Sequence, residues 1–368
     1  MSKRKIELPE YPVKEDMWDR LAKEKRPIVV YGMGNGADKL LNRLSKYGIS
    51  VSDFFASDGF VRGHSYRGFR VKSFSEIKES YGDFVILLSF ASNRKEVIDM
   101  LADMDGKYEM YAPDMPVSDE NEYFDREFFN ANYAEIAAVY SMLEDEKSRE
   151  IYASVLHYRL TGKISFLLDA AVDKKEMYSL IGSKEIKTVI DVGAYNGDTV
   201  REAMDFFSGL DRIFAIEPDR RNFKKLQKFA EEAKADIVPV NAAAWRESAY
   251  GEFVESGNRN SSVSSTASYQ HKTADTELIA IDSLGVRNAD YIKYDVEGAE
   301  YEALIGADKT VLSSFPVLLV SLYHRSRDIF FLPMYIKEKY PKYRLYIRRL
   351  ASIPAWELNL IAIADTDY

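Results

Sequence analysis

The chain alternates apolar, strand-like runs with amphipathic, helix-like runs twice over, and this alternation constrains the fold more than any other feature. The first series begins at Pro27 with an apolar run, a glycine turn and a helical pattern, and two further strand and helix pairs follow. The second series starts at Ile186. Because such alternation places parallel strands in one sheet with helices on its faces, it predicts an α/β protein. A length of 368 residues favours two such units.

The predicted organisation has three parts. Residues 1–118 are expected to form a Rossmann-like domain of the nucleotide-binding type, 119–185 a helical connector, and 186–368 a second doubly wound Rossmann-like domain. The connector has apolar positions at helical spacing, which suit packing between the two domains: Ile136, Val139, Tyr140 and Leu143.

Strands of the second domain are expected at the apolar runs TVIDVG, RIFAIEP, DIVPVNAA, ELIAID, YIKYDV and VLLVSLYH. Two further runs, YRLYIRR and ELNLIAIA, are separated by a short segment that contains Pro354. They predict an antiparallel hairpin that closes the sheet, as in the methyltransferase variant of the Rossmann architecture.

The composition of the chain excludes several classes of protein function. The chain has no cysteine, which excludes disulfides and thiolate chemistry, and its net charge of -9 argues against a sequence-independent nucleic-acid binder. No apolar run approaches the ~20 residues of a membrane span, and the N-terminus lacks the apolar core of a secretory signal. We therefore expect a cytoplasmic protein with no nucleic-acid partner and no membrane span.

The glycine turn after the first strand of the second domain predicts a ligand site. Asp191, Gly193, Gly197 and Asp198 follow a buried strand, where a ligand crevice opens in an open α/β sheet. Glu217 ends the next strand, about 25 residues further on, where an acidic side chain accepts hydrogen bonds from ribose hydroxyls. Since carboxylates repel a pyrophosphate, the acidic turn favours the ammonium and sulfonium groups of S-adenosylmethionine over a dinucleotide.

Charged residues also crowd the end of the fourth strand, in the segment IKYDVEGAEYEALIGA. Lys293, Asp295, Glu297 and Glu300 surround a glycine-bearing turn into a helix. Either they take part in the chemistry, or Lys293 and one carboxylate form a structural pair. The segment lacks the NPPY or DPPY motif of enzymes that methylate base amino groups, so hydroxyl acceptors are favoured. No histidine accompanies these carboxylates locally, so no metal site is predicted.

Together, DVGAYNGDT, EPDRRNF, IDSL and IKYDVEGAEYEALIGA resemble the FkbM-type methyltransferases over roughly residues 120–368. The resemblance implies an S-adenosylmethionine-dependent methyltransferase that modifies a hydroxyl of a sugar, glycan or other small metabolite. It implies that the cofactor's amino-acid portion contacts Asp191, Gly193, Tyr195, Gly197, Asp198 and Thr199. It further implies that Glu217 holds the ribose and Asn222 steadies its loop, that Asn241, Ala242 and Ala243 flank the adenine, and that Asp295 and Glu297 face the methyl group or the acceptor.

His324 follows a strand and is the best candidate for a catalytic base, because deprotonating a hydroxyl calls for a group with a pKa near neutral. The resemblance favours the same residue. The alternative is a hydrogen-bonded loop histidine without a catalytic role.

A second glycine turn lies near the N-terminus. Gly32, Gly34 and Gly36 follow a strand and open a helix, and Asp58 ends the next strand at about the ribose-binding distance. The pattern is not a full GxGxxG, so a nucleotide or nucleotide-sugar pocket and a purely structural turn both stay open.

Two competing functions follow from this turn. One is an NAD-dependent oxidoreductase that uses the N-terminal domain, and the other is a non-catalytic nucleotide-binding module in polysaccharide assembly. The acceptor and the oligomeric state are not determined by the sequence, and a homodimer stays open.

Overall fold

The computed structural model describes residues 6–57, 59, 61, 63, 65–118, 122–182, 184–255, 262–263 and 272–365. Two parallel-stranded sheets organise the described chain, one near each end of the sequence, and several helices lie between them in sequence. The predicted α/β class is confirmed.

The N-terminal sheet has five parallel strands, in the order β5-β2-β1-β6-β7. Every residue of β1, β2 and β6 is buried, as expected for parallel strands that are covered on both faces. The elements of this region are α1 Met17–Leu21, β1 Ile28–Tyr31, α2 Asn35–Lys46, β2 Asp53–Ala56, β3 Ser65–Tyr66, β4 Phe69–Arg70, β5 Lys72–Ser73, α3 Phe74–Ser80, β6 Val85–Leu88, α4 Lys95–Asp105 and β7 Met110–Tyr111.

Helices follow in the region predicted as a connector: α5 Arg126–Ala131, α6 Tyr133–Met142, α7 Glu146–Thr161, α8 Ser165–Asp169 and α9 Lys174–Ser179. The long helical pattern is broken after α6, where Leu143 is extended and Asp145 caps α7 by accepting a hydrogen bond from the Ser148 amide. Ile136, Val139 and Leu143 are buried in the main hydrophobic core, which also contains residues of both sheets.

The C-terminal sheet has seven strands, in the order β10-β9-β8-β15-β16-β18-β17. Its region comprises β8 Thr188–Val192, α10 Asp198–Phe206, β9 Arg212–Ile216, α11 Arg220–Glu232, β10 Asp236–Val240, β11 Ala243–Ala244, β12 Ala249–Glu255, β13 Ser262–Val263, β14 Lys272–Ile279, β15 Tyr291–Tyr294, α12 Glu300–Ile305, α13 Asp308–Ser314, β16 Val317–Ser321, α14 Asp328–Lys339, β17 Tyr343–Arg349 and β18 Leu358–Ala364. Strand β18 runs antiparallel to β16 and β17, so the predicted closing hairpin is confirmed.

One predicted strand lies elsewhere. The run ELIAID contributes to β14, which lies between β11 and β12 in a separate four-stranded sheet, in the order β11-β14-β12-β13. It is not part of the seven-stranded sheet. Its antiparallel partner β12 was not predicted as a strand. An apolar run identifies a strand but not its partner, and here the long β12 and β14 ladder decides the pairing.

The two sheet regions contact each other directly. In the loop after β6, the Ser92 amide donates to the Ile353 carbonyl at 2.8 Å, and the Ile353 amide donates to the Ser92 carbonyl at 2.9 Å. Ile353 lies in the hairpin loop between β17 and β18. Within the described residues, no helix is long and apolar enough to cross a membrane.

Candidate functional site

The turn after β8 is shaped by two glycines with positive φ angles, Gly193 at +90° and Gly197 at +86°. A Cβ on Gly193 would lie 1.9 Å from the Asp295 carbonyl oxygen, and one on Gly197 would lie 2.5 Å from the Phe229 ring. Any larger residue would strain the backbone and push the turn away from its neighbours. Gly193 therefore lets the turn pack against the end of β15, where the second charged motif begins, and Gly197 lets it pack against Phe229 of α11.

Asp191 lies beneath this turn. Its carboxylate is buried, its Oδ2 accepts a hydrogen bond of 2.5 Å from the Thr199 hydroxyl, and its Oδ1 lies 3.8 Å from Lys293 Nζ. Burial raises the pKa of Asp191, while Lys293 and Thr199 oppose that rise. Asp191 thus ties the turn to β15 from below.

Glu217 stands at the end of β9 with its carboxylate turned to the β8 turn. Its Oε2 accepts from the Tyr195 amide and its Oε1 from the Asp219 amide, both at 2.9 Å. Burial raises the pKa of Glu217 to about 8 against these two hydrogen bonds. Asn241, at the end of β10, donates from Nδ2 to the Glu217 carbonyl oxygen at 2.8 Å and so fixes the strand end behind it.

Asn222 steadies the same loop through the backbone. It lies in the first turn of α11, and its amide donates to the capping carboxylate of Asp219 at 3.0 Å. This contact uses only the main chain of Asn222, so a steadying role of its side chain stays a prediction.

At the end of β15, Lys293 and Asp295 form an ion pair of 3.0 Å. Asp295 Oδ1 also accepts hydrogen bonds of 2.9 Å from the Ser321 and Tyr323 hydroxyls. Burial acts to raise the pKa of Asp295, but Lys293 and His324 hold it well below its usual range. Asp295 is therefore ionised and held in place by its hydrogen bonds. Its ion pair with Lys293 is the pair of Lys293 and one carboxylate that the sequence left open as an alternative.

His324 is buried among three carboxylates. Its Nδ1 lies 2.8 Å from Glu300 Oε1, and its Nε2 lies 3.6 Å from Asp295 Oδ1 and 3.7 Å from Glu297 Oε2. Burial alone would lower the pKa of His324, but the carboxylates raise it to about 10. The near-neutral pKa expected from the sequence is therefore wrong, because imidazolium is the form present at neutral pH.

These strand ends open into one cavity of about 460 Å³. Of the residues predicted to form the site, the cavity wall includes Gly193, Tyr195, Asp198, Thr199, Glu217, Asn222, Ala243, Lys293, Asp295 and Glu297. The other predicted residues are not part of this wall: Asp191, Gly197, Asn241, Ala242 and His324. Asp191, Asn241 and His324 act on the wall indirectly, through the hydrogen bonds and ion pairs described above.

Sequence reasoning missed other parts of the wall. They come from α9, from the middle of α10, from the hairpin of β17 and β18, and from the N-terminal region: Lys174, Met177, Tyr178, Glu202, Leu350, Ala351, Glu357, Asn359 and Asn93. The three residues of α9 precede the first predicted motif too distantly to be assigned by spacing, whereas Glu202 lies only one helical turn after Thr199. Only the tertiary fold brings Asn93 to this cavity.

Two properties of the wall point to ligand binding. Its carboxylates outnumber its cations, since Asp173, Asp198, Glu202, Glu217, Asp295, Glu297 and Glu357 face only Lys174 and Lys293. Three wall residues other than glycine also have positive φ angles, namely Tyr195, Glu297 and Glu357. Such strained residues cluster at functional sites. This donor set and this volume fit a ligand that carries positive charge and ribose hydroxyls.

The N-terminal glycine turn is built differently. A Cβ on Gly36 would lie 2.1 Å from the Ser89 carbonyl oxygen, and one on Gly32 would lie 2.7 Å from the Ser89 hydroxyl and 2.8 Å from the Phe90 ring. Gly34, with φ of +93°, precedes α2 and has nothing within 4 Å of its Cβ position. Asp58, the predicted ribose ligand, lies outside the described residues.

The first turn of α2 carries an acidic side chain, Asp38. Its carboxylate accepts a hydrogen bond of 2.5 Å from the Tyr66 hydroxyl and pairs with Arg67 at 2.8 Å. Asp38 and Arg67 thus form a charge-neutral pair beside the N-terminus of α2.

Comparison with known proteins agrees with this architecture. Residues 191–350 match the family described as the methyltransferase FkbM domain. Among curated proteins, none matches the chain. A crystal structure of a methyltransferase FkbM from Methylobacillus flagellatus KT is similar over 92% of this chain and 90% of that chain, with a TM-score of 0.68 and 19% sequence identity. This likeness concerns the fold, and it extends over both sheet regions.

Weaker likenesses cover about half of this chain. A precorrin-6y C5,15-methyltransferase from Geobacter metallireducens GS-15 has a TM-score of 0.33 at 12% identity, over 53% of this chain and 90% of that chain. Fibrillarin from Aeropyrum pernix, in complex with natively bound S-adenosyl-L-methionine, has a TM-score of 0.33 at 13% identity, over 51% of this chain and 74% of that chain.

The family match, together with the Rossmann-like fold, supports a methyltransferase. Residues 191–350 match the FkbM methyltransferase domain, in agreement with the resemblance of the motifs. The family match supports S-adenosylmethionine as the cofactor of this domain.

Proposed function

We propose that the protein transfers a methyl group from S-adenosylmethionine to a hydroxyl of a sugar, glycan or other small metabolite. The observation that carries this proposal is that Glu217, after β9, and the pair of Asp295 and Glu297, after β15, line the same cavity from the two strands that flank β8. One side of the cavity has the chemistry to hold a nucleoside, and the other has carboxylates beside a protonated histidine. That combination suits a cationic methyl donor and a hydroxyl acceptor.

On the donor side, each proposed contact follows from a side chain or amide of the cavity wall. Glu217 accepts hydrogen bonds from the two ribose hydroxyls, since each of its oxygens has a further lone pair besides the one used by an amide. The methionine portion lies along the β8 turn and the start of α10, and the adenine lies by the end of β10: the residues are Gly193, Tyr195, Asp198, Thr199 and Ala243. Asp191 supports this surface from beneath.

On the acceptor side, the chain positions the hydroxyl and receives its proton. S-adenosylmethionine, when bound, supplies a methyl group activated by the sulfonium charge. Asp295 is a poor proton acceptor because Lys293, Ser321 and Tyr323 stabilise its ionised form. We therefore propose that the carboxylate of Glu297, which lines the same cavity, accepts the proton of the acceptor hydroxyl.

In this proposal His324 does not act as the catalytic base. As an imidazolium 3.6 Å from Asp295 Oδ1 and 3.7 Å from Glu297 Oε2, it stabilises the charge of Asp295 and orients both carboxylates, while Glu300 holds its ring from the other side. His324 is thus a positioning residue, and the loss of its charge beside the carboxylates is expected to shift the pH profile of turnover.

Turnover of the Glu297→Gln variant tests the proton step. S-adenosylhomocysteine formation is measured with S-adenosylmethionine and a panel of hydroxyl acceptors, and the variant is expected to lower kcat by about 10²- to 10⁴-fold while its affinity for S-adenosylhomocysteine stays near that of the wild type. Glu232→Gln, on the exposed face of α11, is the matched control. Unchanged kcat in Glu297→Gln would remove this residue from the mechanism, and no product from any hydroxyl acceptor would count against O-methylation.

His324→Ala is expected to abolish most turnover and to leave cofactor affinity nearly intact. His324→Gln keeps a hydrogen-bond donor toward the carboxylates without the charge, so its residual activity should show a pH profile displaced toward higher pH. A pH profile identical to that of the wild type would show that the imidazolium does not act on Glu297.

A further inference from the structure

The cavity wall includes one residue from the N-terminal region, Asn93, whose side chain is exposed in the loop between β6 and α4. It lies nearly a hundred residues before the first residue of the methyltransferase family match. We infer that Asn93 is a specificity-determining residue that hydrogen-bonds the acceptor. This inference rests on the proposed function and deepens it, since it makes the N-terminal region part of the acceptor site.

The order of strands places Asn93 on the acceptor side. Along one edge of the sheet, the strands β9, β8, β15, β16 and β18 stand side by side in this order. The cavity residues at their ends run from the donor side to the acceptor side: Glu217 after β9, Asp295 after β15, Tyr323 after β16 and Asn359 at the start of β18. The loop that carries Asn93 pairs through Ser92 with Ile353, in the hairpin loop that leads into β18. Asn93 therefore lies at the end of the cavity away from the proposed ribose contact.

The loop is held from behind by the N-terminal glycine turn. The Cβ positions of Gly32 and Gly36 lie within 2.1 to 2.8 Å of atoms of Ser89 and Phe90, so only glycine allows the turn to pack directly on the start of this loop. The Ser89 amide also donates to the Tyr31 carbonyl at 3.0 Å, and Ser92 holds the other end. The glycine turn and the hairpin thus fix the segment between Ser89 and Ser92 at both ends, and Asn93 follows directly.

A second contact joins the same two regions beside the reacting groups. The Ser118 hydroxyl donates to the Glu297 carbonyl oxygen at 2.5 Å, and the Ser118 amide donates to the His324 carbonyl at 3.0 Å. Both carbonyls belong to the charged loops of the methyltransferase domain. The N-terminal region therefore contacts the acceptor side of the cavity at two points.

The chemistry of this end identifies what Asn93 contacts. An amide both donates and accepts hydrogen bonds, and the hairpin of β17 and β18, which Ser92 joins through Ile353, contributes to the same wall the Glu357 carboxylate, the Asn359 amide and the apolar Leu350 and Ala351. The excess of carboxylates disfavours a phosphate on the acceptor. Asn93 thus suits a hydroxyl other than the one that receives the methyl group, on a neutral acceptor with several hydroxyls.

Binding of neutral methyl glycosides tests the inference. The full chain, saturated with S-adenosylhomocysteine, is titrated with methyl glycosides of glucose, mannose, galactose and rhamnose by saturation-transfer difference NMR. Asn93→Ala is expected to weaken the glycosides that bind the wild type by about 3- to 10-fold, the effect of one lost hydrogen bond. Asn42→Ala, exposed on α2 and away from the cavity, is the matched control and should bind like the wild type.

Two outcomes would overturn the inference: equal glycoside affinities in Asn93→Ala and Asn42→Ala, or no neutral glycoside bound by the wild type. Failure of the proposed function is distinguishable, because it would appear as a wild-type chain that does not bind S-adenosylhomocysteine. Thermal unfolding of the Asn93→Ala variant, expected to match the wild type for an exposed side chain, excludes a folding defect.

Discussion

The two glycine turns of this protein look alike in sequence and differ in use. Each follows the first strand of a parallel sheet and opens a helix, α2 in one case and α10 in the other. The turn at Gly193 lines the cavity together with Glu217 from the neighbouring strand, whereas the turn at Gly36 packs on the backbone of Ser89. The comparison teaches that glycine spacing predicts close backbone packing, and that the side chains at neighbouring strand ends decide whether a ligand lies there.

The largest expected effect is that of Gly193→Ala. The added Cβ would lie 1.9 Å from the Asp295 carbonyl oxygen at a φ of +90°, so the turn and the Asp295 loop must move apart. We expect affinity for S-adenosylhomocysteine, measured by calorimetry, to fall at least about 100-fold, because donor and acceptor sides share this contact. Wild-type affinity in this variant would remove the distinction between the two turns.

Glu217→Gln should have the next largest effect. The amide retains the shape but loses the charge that strengthens hydrogen bonds to the ribose hydroxyls, so the affinity for S-adenosylhomocysteine is expected to fall about 10- to 100-fold. The N-terminal turn offers a matched control in Asp38→Asn, which should leave this affinity unchanged. An equal loss in both variants would mean that the cofactor does not distinguish the two turns.

The raised pKa of Glu217 also gives this site a pH dependence. With its pKa near 8, the free protein keeps a proton on Glu217 that the ribose hydroxyls would displace, so affinity should rise with pH up to about 8 and then level off. Free-protein stability should fall over the range from 4.5 to about 8, because the unfolded chain releases this proton and the folded chain keeps it. Calorimetry in two buffers of different ionisation enthalpy measures the released proton; a pH-independent affinity, matching that of Glu217→Gln, would contradict the assignment.

Gly36→Ala should have the opposite effect to Gly193→Ala: it should lower the stability of the fold and leave the affinity for the cofactor product unchanged. Its Cβ would meet the Ser89 carbonyl oxygen at 2.1 Å, so we expect a loss of about 1–3 kcal/mol in the free energy of unfolding. Affinity for S-adenosylhomocysteine should persist, while glycoside binding weakens through the displaced Asn93 loop. Loss of cofactor affinity in a variant that still folds would show that the N-terminal turn serves the donor side.

The smallest effect is expected from Gly34→Ala. Nothing lies within 4 Å of the Cβ position, so the cost is only the backbone strain of a φ of +93° and a ψ of -156°, about 1–3 kcal/mol at most. Cofactor and glycoside affinities should both equal those of the wild type. A change in either would indicate that a ligand lies against this turn.

Much of the donor side could be predicted from the sequence, because parallel strands bring their carboxyl ends to one edge. That rule alone places the β8 turn, Glu217 and the charged end of β15 together, and the closing hairpin follows from two apolar runs around Pro354. The acceptor side could not be predicted to the same extent. Asn93 and the hairpin loop reach the cavity through tertiary contacts that leave no local pattern in the sequence.

The charge state of His324 shows the same limit. Its position after a strand is visible in the sequence, but its pKa depends on distances of 2.8 to 3.7 Å to Glu300, at the start of α12, and to Asp295 and Glu297, in the loop before that helix. Likewise, the run ELIAID identified a strand, while its place outside the main sheet depends on pairing with β12.

The most direct test of the central claim is the affinity of the full chain for three ligands by calorimetry: S-adenosylhomocysteine, NAD and a UDP-sugar. The structure predicts one equivalent of S-adenosylhomocysteine per chain, lost in Gly193→Ala and kept in Gly36→Ala, and no binding of NAD or the UDP-sugar. Binding of either nucleotide that Gly36→Ala abolishes, with no binding of S-adenosylhomocysteine, would contradict the assignment of the donor site to the second turn.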